Sequence, residues 1–165
     1  ILTEKNKSLI ADNDERMIFF ARGVLETLQM LGWSPDIIHC HGWFTSLLPL
    51  YLKKMYNSHP VLEKTKIISS LNKKSGMKGT LDKSLLNKIE FDGINPEEVD
   101  CLKRPNCENL YQIAAKFSDG IVLEDKYKNS SIIDSLSKEG TPVLDAEEHT
   151  EYYEFYQNFL SEELV

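Results

Sequence analysis

Between residues 12 and 53 the hydrophobic positions change period twice. Met17, Phe20, Ala21, Val24, Leu28 and Leu31 recur three and four residues apart, an apolar stripe that predicts one amphipathic helix facing a core. Gly32 supplies the stop, and Ser34-Pro35 forbids an immediate return to helix. Asp36-Ile37-Ile38-His39-Cys40-His41 is short and apolar at its centre, which predicts a buried strand ended by Gly42. Residues 44–56 return to helical spacing through Leu47, Leu48, Tyr51 and Met55. Asp12 is placed to cap the first helix, with Glu15 as the other half of a carboxylate capping box. The order helix, strand, helix puts His39 and His41 at the carboxyl end of a strand, where open α/β sheets bind ligands. Strand alternation puts both histidines on one face and Cys40 on the other.

The alternation continues downstream. Residues 66–71 form the next strand, so 36–71 is a strand, helix, strand unit with parallel strands, and Asn72 comes beside His41 and Trp43. Residues 72–82 are polar, with Gly76, Gly79 and several lysines, and read as a mobile loop over the strand ends. Short helices follow over 81–89 and from Pro96, then a stronger one over 106–117 with Leu110, Ile113, Ala114 and Phe117 at helical spacing. Asp119-Gly120 breaks it before a strand at 121–123. A helix over 127–138 and a strand over 142–144 complete the pattern. The last helix, 147–160, carries Tyr152, Tyr153, Phe155, Tyr156, Phe159 and Leu160 in two overlapping stripes, so it should pack on more than one neighbour. Residues 1–11 read as loop or frayed end. The fold class is α/β, one Rossmann-like domain over 1–165 built on a parallel sheet.

Bulk properties narrow the function classes. With 165 residues, 41% of them hydrophobic, the chain can bury one proper core. A net charge of −7 argues against nucleic acid or an anionic membrane as partner. Cys40, Cys101 and Cys107 are odd in number and lack metal-ligand spacing, which suits reduced thiols in the cytoplasm. No apolar run approaches the roughly 18 residues of a membrane span, and no targeting segment is expected. Ile1 is not an initiator methionine, so residues upstream are expected to have been removed.

The run D-N-D-E-R from Asp12, followed by P-D-I-I-H-C-H-G-W from Pro35 and L-L-P-L-Y-L-K from Leu47, resembles the N-terminal (starch synthase catalytic) domain of bacterial glycogen synthases and plant starch synthases, glycosyltransferase family 5. That resemblance implies the first half of a GT-B architecture and the transfer of glucose from a nucleotide sugar such as ADP-glucose to an α-1,4-glucan, with no further cofactor. It implies Asp12 and His41 as the catalytic-cleft pair, and Asn13, Arg16, His39, Trp43 and Asn72 as substrate-binding residues. The last helix is similar to the one that in GT-B enzymes crosses back from the second domain onto the first.

Each residue also has a plainer reading. Asp12 is explained by helix capping, His39 and His41 by ordinary hydrogen bonding, Trp43 by the core, and the loop lysines by solvation. A zinc site on His39 and His41 lacks a third and a fourth ligand, since His59 and His149 lie elsewhere in the sequence. Departures from the family pattern weigh on activity. Its phosphate-binding K-x-G-G loop and its nucleotide-binding second domain are not in this chain; the aspartate after His41 is Gly42, a later histidine is Leu71, and a small hydroxyl residue is Glu124. The chain alone is therefore expected to be inactive: a glycosyltransferase piece completed by other sequence or a protein partner, or else a non-catalytic glucan- or partner-binding protein of glycogen metabolism.

Overall fold

The structure, a computed structural model, describes residues 9–72, 77–124, 127, 130–146 and 151–160. Four strands, β1 (Ile37–His41), β2 (Lys66–Asn72), β3 (Gly120–Glu124) and β4 (Val143–Asp145), form one all-parallel sheet in the order β1-β2-β3-β4. The helices are α1 (Asn13–Leu31), α2 (Leu47–Tyr51), α3 (Leu85–Phe91), α4 (Cys107–Phe117), α5 (Ser130–Glu139) and α6 (Glu151–Leu160). Parallel neighbours need crossovers, and the α/β alternation read from the sequence supplies them.

Helix α1 buries Met17, Ala21, Leu25 and Leu28, while Phe20 and Leu31 of the anticipated stripe stay exposed. Gly32 ends it at φ 61°, donating its N–H to the carbonyls of Gln29 and Leu28. The capping box does not form. The Asp12 carboxylate is taken by Arg16 Nε at 2.9 Å, and Glu15 accepts from Lys88 Nζ at 2.9 Å, so neither turns back to the helix N–H groups.

Other boundaries move for local reasons. The helix anticipated over 44–56 divides into a 3-10 turn (Trp43–Thr45), α2 and a π turn (Leu52–Tyr56), with Lys53 on Asp119 and Lys54 on Glu98. Helix α3 starts only at Leu85 because Thr80 bridges to Asn106 and the Asp82 carboxylate accepts from Ser84 N–H at 2.8 Å. That bridge also ties down the second half of the lysine loop; residues 73–76 lie outside the described residues. Helix α5 starts at Ser130 and leaves Tyr127 outside, its N–H on the Glu124 carbonyl at 2.9 Å. Asn95 and Asn106 cap the Pro96–Lys103 turn and α4 by accepting from the N–H groups of Glu97 and Asn109.

Each face of the sheet has its own partners. Cys40, Ile67, Leu71, Ile121 and Leu123 point into the main core, with α1, α2 and α4 above them. Ile68 and Val122 point the other way and meet Phe155 and Phe159 of α6. Asp119 knits the sheet's rear edge, accepting the Ile67 N–H at 2.8 Å while Lys53 Nζ lies 2.8 Å from its other oxygen.

Helix α6 sits close because residue 120 has no side chain: a Cβ on Gly120 would come 2.5 Å from Phe159 Cζ and 3.2 Å from Phe155 Cζ. Both rings are buried against Ile68 and Val122, so a shift of either disturbs this small cluster. Gly120→Ala is expected to destabilise the fold by about 1–3 kcal/mol through overpacking, read as a lower urea midpoint. An unchanged midpoint would show that α6 does not rest on this notch.

Candidate functional site

Register builds the site. His39 pairs with Ile68 and His41 with Ser70 across β1 and β2; Ser70 pairs with Val122 and Asn72 with Glu124 across β2 and β3. With a side-chain period of two, His39, His41, Ser70, Asn72 and Glu124 all emerge on the α6 face, toward the carboxyl ends. The other half of that face is apolar and lies under Phe155 and Phe159.

Tyr152 and Tyr156, one turn apart on α6, close on the polar half. Tyr152 donates its hydroxyl to Glu124 Oε1 at 2.8 Å, and Tyr156 Oη lies 2.5 Å from His39 Nδ1. His39 Nε2 is 2.7 Å from Ser70 Oγ. A neutral imidazole has one N–H, so of these two bonds His39 donates one and accepts the other. Glu124 Oε1 also lies 3.4 Å from His41 Nδ1, and Oε2 lies 3.5 Å from Asn72 Nδ2. The His39 and His41 rings stack at 4.0 Å.

Burial pushes His39 down to about 4, with His41 adding to the effect and Glu124 opposing it. Burial raises the Glu124 carboxyl, but Tyr152, Ser70, His41 and Asn72 outweigh it and the net direction is down. Tyr152 is pushed up to about 12 by burial and then by its bond to Glu124. At neutral pH the cluster thus holds one carboxylate, a neutral His39 and two protonated phenols.

The structure gathers only part of the site expected from sequence. His39, His41 and Asn72 belong to the cluster. Asp12 and Arg16 pair with each other, exposed, at the start of α1, and share no bond with the cluster among the described residues. Asn13 is fully buried. Trp43 is 4% exposed in the main core, edge-on to Phe44, so its ring has no face open for a sugar. Ser70, Tyr152 and Tyr156 were not anticipated as site residues, and Glu124 only as a departure. The available signals were Ser70 sharing a strand face with Asn72, and the four-residue spacing of the two tyrosines.

The departures at Gly42 and Leu71 lie in different settings. Gly42 sits at φ 72°, ψ 177°, a region essentially reserved for glycine. Leu71 is fully buried on the opposite face of β2, where a side chain cannot reach His41.

No three His, Cys, Asp or Glu side chains gather as a metal would require among the described residues. A separate cavity of about 690 Å³ lies between α1 and α3, walled by Phe19 and Phe91. Its charges are committed, Arg22 to Asp92 and Lys88 to Asp14 and Glu15.

The neutral His39 makes stability depend on pH. Unfolded, it titrates near 6.5, and folded near 4, so across that window the unfolded chain binds more protons. Stability is complete above the upper value and declines as pH falls toward the lower one. Glu124 adds a separate decline below its ordinary value of 4.5. Urea titrations from pH 7 to pH 4 on wild type and His39→Gln should therefore diverge, the variant lacking the upper part of the slope; parallel curves would mean His39 is not held neutral by the fold.

Comparison with known proteins follows the same outline. The family model described as "Starch synthase catalytic domain" matches residues 4–141, ending ahead of β4 and α6. A glycogen synthase of Pelodictyon phaeoclathratiforme is 32% identical over 151 residues, 90% of this chain and 30% of the relative. One from Chlorobium luteolum is 41% identical over 98 residues, 59% of this chain and 19% of the relative. The catalytic domain of starch synthase IV from Arabidopsis thaliana, bound to ADP and acarbose, superposes with a TM-score of 0.61 at 21% identity, covering 82% of this chain and 29% of that one. The chain thus spans less than a third of the length of these relatives, and among its described residues no helix is long and apolar enough to cross a membrane. From the agreement of sequence, sheet and family model, the chain belongs to the starch synthase catalytic domain family, the glycosyltransferases of glycogen and starch synthesis.

Proposed function

We propose that this chain binds an α-glucan at the carboxyl edge of its sheet and does not by itself turn over a nucleotide sugar. The observation that carries the reading is the Glu124 carboxylate at the centre of the strand-end cluster, within reach of Tyr152, Asn72 and His41. Carboxylate, amide and imidazole groups hold neutral sugar hydroxyls well. A diphosphate instead needs cations or helix N-termini, and a carboxylate among its contacts opposes it. The Arabidopsis starch synthase IV domain has ADP as well as acarbose bound; Glu124 speaks against the nucleotide half of that pair here.

A second reading has one specific support. The run Asp12, Arg16, His39, His41 and Trp43 is intact, as in a glycosyltransferase piece that works once a partner or further sequence supplies the donor site.

The two readings separate in one assay. The full chain, given ADP-glucose and a maltooligosaccharide, should release no ADP above the protein-free rate, yet show saturable maltooligosaccharide binding by calorimetry. Glu124→Gln should weaken that binding roughly tenfold, the loss expected for one charge-assisted hydrogen bond. ADP release that disappears in His41→Ala would overturn the non-catalytic reading, and absence of saccharide binding would overturn the glucan assignment.

A further inference from the structure

Helix α6 sets two phenol hydroxyls, those of Tyr152 and Tyr156, into the polar half of the sheet face. Each bonds as a sugar hydroxyl would: Tyr156 with Nδ1 of His39 at 2.5 Å, Tyr152 with the Glu124 carboxylate at 2.8 Å. Their rings lie over His39, with centroids 5.6 Å and 5.7 Å away. The result is an unequal division of the cluster. Ser70 is 1% exposed and His39 is half-buried beneath the tyrosines, while the His41 side chain remains 58% exposed at the rim.

We infer that α6 is a self-occluding helix, its Tyr152 and Tyr156 hydroxyls standing in the hydroxyl-binding positions of the cluster, so that an α-glucan reaches His39 and Ser70 only by displacing it. The inference rests on the glucan-binding reading above and adds a regulatory element to that site. Hydroxyl exchanges for hydroxyl: the bond to His39 Nδ1 and the O–H···O bond to Glu124 given up by α6 are remade by the sugar, whose hydroxyls both donate and accept, so the cluster is never left unpaired. Helix α6 has a narrow seat for such an exchange, two phenylalanines over Ile68, Val122 and the Gly120 notch, with Tyr153 on its outer side 69% exposed. It also stands outside the span matched by the family model, which ends at residue 141.

The test uses the full chain and maltoheptaose as probe. Amide hydrogen exchange over 151–160 is measured with and without saturating maltoheptaose, and affinity is compared between wild type and the double variant Tyr152→Phe/Tyr156→Phe. That variant keeps the rings and removes only the two hydroxyls; Tyr153→Phe serves as control. Occlusion predicts that maltoheptaose speeds α6 exchange about tenfold, and that the double variant binds several-fold more tightly while the control binds as wild type does. The wild-type exchange result stands even if the variant folds poorly. Equal affinities with α6 exchange unchanged or slowed would overturn occlusion and leave glucan binding intact. Weaker binding by a folded double variant would also overturn it, making the tyrosines part of the glucan site. No binding by either protein would remove the glucan reading and this inference together.

Discussion

Side chains two residues apart on a strand share a face, and most of this structure follows from that constraint acting on parallel strands in fixed register. Cys40, Ile67, Leu71, Ile121 and Leu123 are committed to the main core. Their neighbours in sequence are thereby committed to the opposite face. His39 and His41 cannot separate, and neither can Ser70 from Asn72 or Val122 from Glu124. A one-residue slip would put both histidines into the core and Cys40 outside, so burial of the first face holds the site in place.

The two faces are closed with different thoroughness. The first carries α1, α2 and α4 in one continuous core, and Asp119 ties β2 to the π turn after α2 through the Ile67 N–H and Lys53. The second carries α6, seated on a small apolar cluster. An apolar half near the strands' amino ends and a polar half near their carboxyl ends are met by phenylalanines and tyrosines respectively, four residues apart along one helix. The amphipathic ambiguity of α6 in sequence, two overlapping stripes, is this division read along a single element.

Much of that arrangement was legible before the structure. The α/β order, the parallel unit at its centre and the shared face of His39 and His41 follow from local period alone, because buried strands and amphipathic helices write different patterns. What was not legible depended on distance in the chain. Ser70 is 31 residues from His39 and Tyr156 is 117 residues from it, and no local period encodes which strand lies beside which or where a final helix comes to rest. Asp12 looked like a cap because its spacing to Glu15 was right, but Arg16 and Lys88 compete for the two carboxylates and win. Trp43 sits beside the site in sequence and inside the core in space, since the turn after Gly42 swings it under the helices.

The positions at which this chain leaves its family's pattern are unlike one another once placed. Gly42 takes a backbone conformation reserved for glycine beside Asn72, and Leu71 packs on the far side of the sheet. Glu124 is different. A carboxylate introduced on a partly covered face must be given donors or raise its pKa, and here Tyr152, Ser70, Asn72 and His41 hold it down instead. One of those donors comes from α6, so the charge at the end of β3 and the helix above it stabilise each other. A small residue at 124 would leave Tyr152 without its acceptor, and removal of α6 would leave Glu124 short of a donor that a sugar hydroxyl could replace.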